Sequence, residues 1–230
     1  MSGSTPGARA LSRRELLKRA GAAGVVFTLP AGTAITPTAT GTVRRPAATT
    51  LTAGESATLE AVLERLIPTD ATGPGAREAQ VLRYIQQALA GDLKALQGVY
   101  SGNLAALDAY AAGRFGAAFA QLAADQQDAV LRDLEAGTAT GFAPSADAFF
   151  ETVLEHALEG MFGDPYHGGN ANFVGWDLLG YPGVRTQVTA ADQQALERNQ
   201  LKPNHRSAYD NEMFNKATAS AAAEGPHHAD

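Results

Sequence analysis

Residues 149–184 read FFETVLEHALEGMFGDPYHGGNANFVGWDLLGYPGV, and this stretch decides how the chain folds. Its first part, residues 149–162, repeats apolar side chains three and four positions apart, which predicts an amphipathic helix. The apolar set is Phe150, Val153, Leu154, Ala157, Leu158 and Met161. Glu151, Glu155 and Glu159 lie four positions apart and therefore share a second, acidic face of the same helix.

Glycine and proline dominate the rest of the stretch, residues 163–184, so the helix cannot continue. Glycine costs a helix about 1 kcal/mol and proline about 3 kcal/mol. The segment also holds Tyr166, Phe173, Tyr181 and the only tryptophan, Trp176. Aromatic rings need a surface to pack against, so we predict an ordered, tightly turned loop. Ordered loops on a helical scaffold are frequent binding surfaces.

Individual residues of this loop carry specific expectations. Gly168 and Gly169 give the backbone access to angles that other residues resist. Asp164 and Asn170 are predicted to pin the loop through hydrogen bonds from side chain to backbone. The rings of Trp176 and Tyr181 fit two roles equally well, a plug in the core or an anchor in an interface.

The run EGMFGDPYHGGN at residues 159–170, followed by Gly175-Trp176 and by GYPG at residues 180–183, resembles the gluconate 2-dehydrogenase subunit 3 family. The resemblance covers residues 51–184 and departs at His167, where glycine is expected more often. The residues that define the loop or contact a partner are then Asp164, Pro165, Tyr166, Gly168, Gly169, Asn170, Trp176 and Tyr181.

The resemblance implies a small, cofactor-free subunit of an exported flavoprotein dehydrogenase. The implied partner is a large FAD-containing subunit of the glucose–methanol–choline type, which oxidises a sugar, a sugar acid or a polyol. A cytochrome c subunit often receives the electrons. The present chain would supply the export signal for its partner and stabilise the partner's fold.

The start of the chain carries the pattern of a twin-arginine export signal. Arg13 and Arg14 are followed by Leu16 and by an apolar run over residues 20–30, which is shorter than the ~20 residues needed to cross a bilayer. We therefore divide the chain into a signal peptide (residues 1–34), a linker (35–50), a helical domain (51–184) and a tail (185–230). The expected location is the periplasm or another extracytoplasmic compartment.

Charge and cysteine content exclude several classes of function. Residues 1–45 hold seven basic residues and one acidic residue, which leaves the remainder with 11 basic and 23 acidic residues and a net charge of −12. Such a chain is a poor nucleic-acid binder. The absence of cysteine excludes disulfides, thiolate-bound iron–sulfur clusters and c-type haem attachment.

Periodicity predicts a single all-α domain, because no alternating apolar pattern longer than four residues occurs. A capping box at Thr52 and Glu55 begins the first helix, and Pro68 ends it. Further helices are expected over residues 77–90, 101–112 and 125–135, with a break at Gly113 and Gly116. In the tail, Thr189 caps a short helix over residues 189–198, and the polar segment after it is either disordered or ordered against a partner.

The best cluster of chemically capable side chains comprises Glu151, Glu155, His156, Glu159, Asp164 and His167. A di-iron site needs two Glu-x-x-His helices, and this chain offers none. We therefore expect no catalytic residue, no metal and no cofactor in this chain. The alternative is a free-standing exported helical enzyme or ligand-binding protein that uses the acidic helix around Glu155 together with His167.

The export signal generates the first prediction. Replacing Arg13 and Arg14 by lysine should leave the protein in the cytoplasm, because twin-arginine export depends on the arginine pair. Cell fractionation and immunoblotting measure this. A flavoprotein partner without its own signal should be retained as well, and its export at normal levels would show an independent route.

Overall fold

The computed structural model describes residues 50–211, and these form an all-α domain as predicted. Over these residues no strand is formed, and the only extended pairing is a single bridge between Asp70 and Gly73. The seven helices are α1 (Ala53–Leu66), α2 (Val81–Ala90), α3 (Gln97–Phe115), α4 (Ala124–Glu135), α5 (Ala146–Phe162), α6 (Val174–Leu179) and α7 (Ala190–Glu197). The predicted signal peptide and most of the predicted linker lie outside the described residues.

Helices α1 and α5 form the centre of the domain. Helix α1 contacts α2, α3, α4 and α5, and α5 contacts α1, α2, α4 and α6. The apolar side chains Leu59, Val62, Leu63 and Leu66 of α1 are all buried, and so is most of the apolar set predicted for α5. Burial of such stripes is the main source of stability for short helices, whose intrinsic propensity alone is marginal in water.

The start of α1 confirms the predicted capping box. The Thr52 side chain accepts a hydrogen bond from the Glu55 amide at 3.2 Å, and the Glu55 carboxylate accepts one from the Thr52 amide at 2.7 Å. Two amides that have no partner within the helix are thereby satisfied. The helix ends at Leu66, before Pro68, as predicted.

Helix α2 begins at Val81, so the predicted start at residue 77 is wrong. Residues 77–80 form a turn, and Gln80 lies in the left-handed region at φ 57°. This turn buries Ala79 completely. The alanines around this position favour a helix locally. The turn becomes apparent only in the folded structure, where Ala79 packs against the core.

Helix α3 is longer than predicted at both ends, and the predicted break at Gly113 is wrong. Gly98, Gly102 and Gly113 all lie within the helix and face open space, so they are tolerated at a modest cost in propensity. The helix ends instead at Gly116, which has φ +84°. Phe119 is fully buried after this end, as expected of a core plug.

Buried polar side chains of the core bond to backbone or to other side chains. The Asn103 amide donates to the Ala143 carbonyl and accepts from the Ala143 amide, both at 2.9 Å, which fixes the chain just before α5. Gln127 donates to the Phe119 carbonyl at 3.0 Å, and Thr58 donates to the Asp108 carboxylate at 3.0 Å. Satisfied in this way, these groups specify one arrangement of the helices without a desolvation penalty.

His156 of α5 points into this core and away from the acidic face. Its Nδ1 shares a 2.8 Å hydrogen bond with the Tyr100 hydroxyl of α3, and the two rings stack at 6.0 Å. Burial lowers the pKa of His156, against a smaller opposing effect of the Glu159 and Glu155 carboxylates. Burial also raises the pKa of Tyr100, so both partners are held in their uncharged forms.

This pair generates a prediction for the pH dependence of stability. The unfolded chain protonates His156 near its ordinary pKa of about 6.5, whereas the folded protein does so at lower pH. The free energy of unfolding should therefore decrease as the pH falls below that value. His156→Gln keeps a hydrogen-bonding side chain for Tyr100 without titrating, so its stability should decrease less in urea titrations from pH 7 to 5.

His167→Gln is the matched control, because that side chain is exposed. It should follow the wild-type dependence on pH. If the free energy of unfolding depends on pH equally steeply in the wild type and in His156→Gln, His156 is not the group responsible for that dependence.

Candidate functional site

Asn170 connects the loop of residues 163–184 to the end of α5, and it is fully buried. Its side chain donates to the Gly163 carbonyl at 2.9 Å and accepts from the Gly175 amide at 2.8 Å. The backbone amide of Asn170 donates to the Gly160 carbonyl at 2.7 Å. The predicted hydrogen bonds from the Asn170 side chain to backbone are therefore present.

Asp164 makes the other predicted bonds of this kind, and one of them reaches the tail. One carboxylate oxygen accepts from the Tyr166 amide at 3.0 Å, and the other accepts from the Ala208 amide at 2.8 Å. The domain thus continues beyond the predicted boundary at Val184. Residues 201–211 return to the loop of their own chain, an arrangement that the sequence did not predict; residues 212–230 lie outside the described part.

Glycines allow the loop to lie close against α2 and α5. Gly168 has φ +97°, and a side chain there would also collide with the Gln87 amide of α2. Gly175 packs against the Met161 carbonyl so closely that any Cβ would overlap it. Gly169 does not adopt a positive φ; its constraint is the close approach of the Gly160 carbonyl. Larger residues at these positions would separate the loop from the helices.

Trp176 closes the loop over the end of α5. It lies in α6, a short helix that the sequence analysis did not predict, and only 6% of its surface is exposed. Its Nε1 donates to the Phe162 carbonyl at 2.8 Å. Its ring packs against Phe173 at 5.4 Å and against Tyr181 at 4.7 Å. Of the two roles left open for this ring, the structure places it as a plug.

Tyr181, by contrast, is 39% exposed. Every large hydrophobic residue that is exposed within residues 50–211 lies in the loop or the tail: Tyr166, Leu178, Leu179, Tyr181, Val188, Leu196 and Tyr209. We call the part of the molecule formed by residues 163–211 the cap, and residues 50–162 the body.

Charge follows the same division. The body carries 15 acidic and six basic residues, a net charge of −9, whereas the cap carries five acidic and four basic residues, a net charge of −1. The exposed apolar side chains therefore lie in the part of the chain with little net charge. Charged residues are as frequent in the cap (nine of 49) as in the body (21 of 113), so the two parts differ in net charge and not in charge content.

The acidic face of α5 does not form a common site. Glu151 and Glu155 are exposed, while Glu159 accepts a 2.8 Å hydrogen bond from the Tyr84 hydroxyl of α2. Burial raises the pKa of Tyr84, and its hydrogen bond to Glu159 raises it further. The Tyr84–Glu159 pair therefore joins α2 to α5.

A cleft of about 370 Å³ lies between α2 and the first turn of the loop. It is lined by Tyr84, Gln87, Ala88, Gly91, Asp92, Leu93, Glu159, Tyr166 and His167. Glu159 and His167 line this cleft together, but Glu155 does not, so only one end of the acidic helix that the alternative interpretation uses lies beside His167. Over the described range, residues 50–211, no group of three His, Asp or Glu side chains is placed to hold a metal ion.

The sequence profile of the family described as Gluconate 2-dehydrogenase subunit 3 matches residues 53–183, more than half of the chain. The chain belongs to this family. Searches of curated proteins and of solved structures found no match. A member of the gluconate 2-dehydrogenase subunit 3 family is an accessory subunit of a dehydrogenase complex, so a dehydrogenase partner follows. Within residues 50–211, no helix has the length and apolarity needed to span a membrane.

The family match ends at residue 183, just before the part of the cap that sequence reasoning missed. The only signal for the return of the tail was a scattering of aromatic and polar side chains such as His205 and Tyr209, which has no period. His167, the departure from the expected family pattern, is not among the residues with positive φ, so its position does not demand glycine.

The placement of the two rings generates a prediction. Trp176→Ala should lower the free energy of unfolding by about 3–5 kcal/mol, because it removes a buried ring and leaves the Phe162 carbonyl without its donor. Tyr181→Ala should cost much less, because that ring is partly exposed. Urea unfolding followed by circular dichroism compares the two, and equal costs would contradict the plug assignment for Trp176.

Proposed function

We propose that this chain is a non-catalytic small subunit that docks through its cap onto the catalytic subunit of an extracytoplasmic dehydrogenase. The family places the chain in a dehydrogenase complex, and the cap provides a surface for that contact. The proposed partner is a large FAD-containing subunit of the glucose–methanol–choline type. In this proposal the chain carries no cofactor of its own, and a cytochrome c subunit receives the electrons in complexes that contain one.

The observation that carries the proposal is the distribution of exposed apolar side chains. Leu178, Leu179 and Tyr181 follow one another at the end of α6 and are 37%, 54% and 39% exposed. In the body, residues 50–162, no large hydrophobic residue is exposed. Exposed apolar side chains gathered in one region, rather than scattered singly, mark an interaction surface.

The charge of the body also supports docking through the cap. With a net charge of −9 on the body and −1 on the cap, like-charge repulsion weighs less on an acidic partner that approaches the cap. The cap is also held rigidly by Asn170 and Trp176, so little conformational entropy is lost when a partner binds.

Export is the second part of the proposed role. The twin-arginine signal at Arg13 and Arg14 directs folded proteins, so the small subunit and its partner would assemble in the cytoplasm and cross together. A partner without a signal of its own would then reach the periplasm only while bound. The cap, as the docking surface, connects the signal on this chain to the dehydrogenase cargo.

Point variants of the cap test the proposal. Tyr181→Ala and Leu179→Ser should each weaken the complex with the flavoprotein by about 2 kcal/mol, as is typical of central interface residues. The measurement is the binding isotherm of each purified variant with the flavoprotein that co-purifies with the tagged wild-type chain. Its bound FAD and its dye-reducing activity identify that flavoprotein.

Glu151→Gln on the exposed acidic face of α5 is the control and should bind like the wild type. If the tagged wild-type chain is purified from its native host without any stoichiometric flavoprotein, the proposed function is wrong. If the Glu151 variant alone loses affinity, the docking surface lies on the body.

A further inference from the structure

Residues 201–211, which we call the strap, return across the loop and pair with it. The Asn204 amide donates to the Pro182 carbonyl at 3.2 Å, and the Asn204 side chain donates to the Val184 carbonyl at 2.8 Å. From the loop side, the Arg185 guanidinium donates to the Lys202 carbonyl at 2.9 Å. The strap is thus attached by hydrogen bonds to residues that end the loop.

Two clusters of rings in the cap each receive one member from the strap. His205 stacks on Phe173 at 5.1 Å and lies 2.7 Å from the Asp177 carboxylate. Four residues later, Tyr209 stacks on Tyr166 at 3.7 Å. Tyr166 is 64% exposed and Tyr209 36% exposed, so the stacked pair stands on the surface of the cap.

The strap also supports loop residues whose backbone is strained. Phe173 has φ 62°, a left-handed conformation that a bulky residue adopts only when its surroundings enforce it. The stacked His205 ring, at 5.1 Å, and the tilted Trp176 ring, at 5.4 Å, both contact Phe173 and hold its ring in place. Removal of the strap therefore removes one of the contacts that keep the loop in its docking conformation.

We infer that the strap is an integral part of the surface that docks onto the dehydrogenase subunit, and that it organises that surface before binding. The inference rests on the proposed function. The strap contributes Tyr209 directly and positions Tyr166 and Phe173, so the docking surface extends beyond the loop. A surface ordered before contact binds more tightly, because the entropy of ordering has already been lost on folding.

The family match covers residues 53–183, and the strap lies wholly beyond it. The occupant is the catalytic subunit of the dehydrogenase, because the family match implies a dehydrogenase partner and the stacked rings lie in the same part of the chain as Leu178, Leu179 and Tyr181. Its contact face should offer apolar pockets for tyrosine rings, as aromatic anchors require.

Two truncations test the inference. One ends at Gln200 and removes the strap with everything after it; the matched control ends at Asn211 and keeps the strap. The probe is the purified flavoprotein subunit isolated with the full-length chain. The chain that ends at Gln200 should bind it about tenfold more weakly or worse, as loss of an aromatic anchor predicts, and the chain that ends at Asn211 should bind like the full-length protein.

Point variants keep the test decisive if the shorter chain fails to fold, which loss of its helical circular dichroism would reveal. Tyr209→Ala should weaken binding about tenfold, whereas Lys202→Ala, at an exposed strap position, should not. Equal affinities of the full-length chain, the chain that ends at Gln200 and Tyr209→Ala would overturn the role of the strap but not the proposed function.

Two other outcomes separate this inference from the proposed function. If the full-length chain binds no flavoprotein, both fail together. If the full-length chain is instead a dimer that dissociates when the strap is removed, the surface pairs two copies of this chain, and the assignment of the dehydrogenase as occupant is wrong.

Discussion

The end of helix α5 sets the constraint on which the cap depends. A helix leaves its last carbonyl groups without partners inside the helix, and burying them unsatisfied is costly. Here the Gly160 carbonyl accepts from the Asn170 amide, the Phe162 carbonyl from the Trp176 indole, and the Gly163 carbonyl from the Asn170 side chain. The chain after α5 therefore has to turn back over the helix end, and small residues such as Gly175 are what allow it to come close enough.

This turn creates a molecule with two different parts. The body is an ordinary helical core whose surface carries a net charge of −9, while the cap places aromatic and aliphatic side chains in water at a net charge of −1. Trp176 is buried inside the cap. The outer surface of the cap includes Tyr166, Leu179 and Tyr181. A rigid interior beneath an apolar exterior is the arrangement that favours docking of a partner, since the free subunit is already ordered.

The sequence predicts the body well because its signals are local. Periodic apolar residues and the capping box at Thr52 and Glu55 appear in the body, and in the cap the same kind of local signal places Thr189 at the start of a helix. The errors have non-local causes: residues 77–80 form a turn in which Ala79 is buried against the core, and Gly113 stays in α3, where it faces open space. The strap could not be predicted, because His205 and Tyr209 find partners far away in the chain and follow no period.

Hydrogen–deuterium exchange of the subunit, free and in complex with the flavoprotein, tests most directly whether the cap is the docking surface. Amide exchange reports local opening and the exclusion of water at an interface. The account predicts slower exchange on binding in residues 163–184 and 201–211, with α1 and the acidic face of α5 unchanged. Protection confined to the body, with exchange in the cap as fast as in the free subunit, would contradict it.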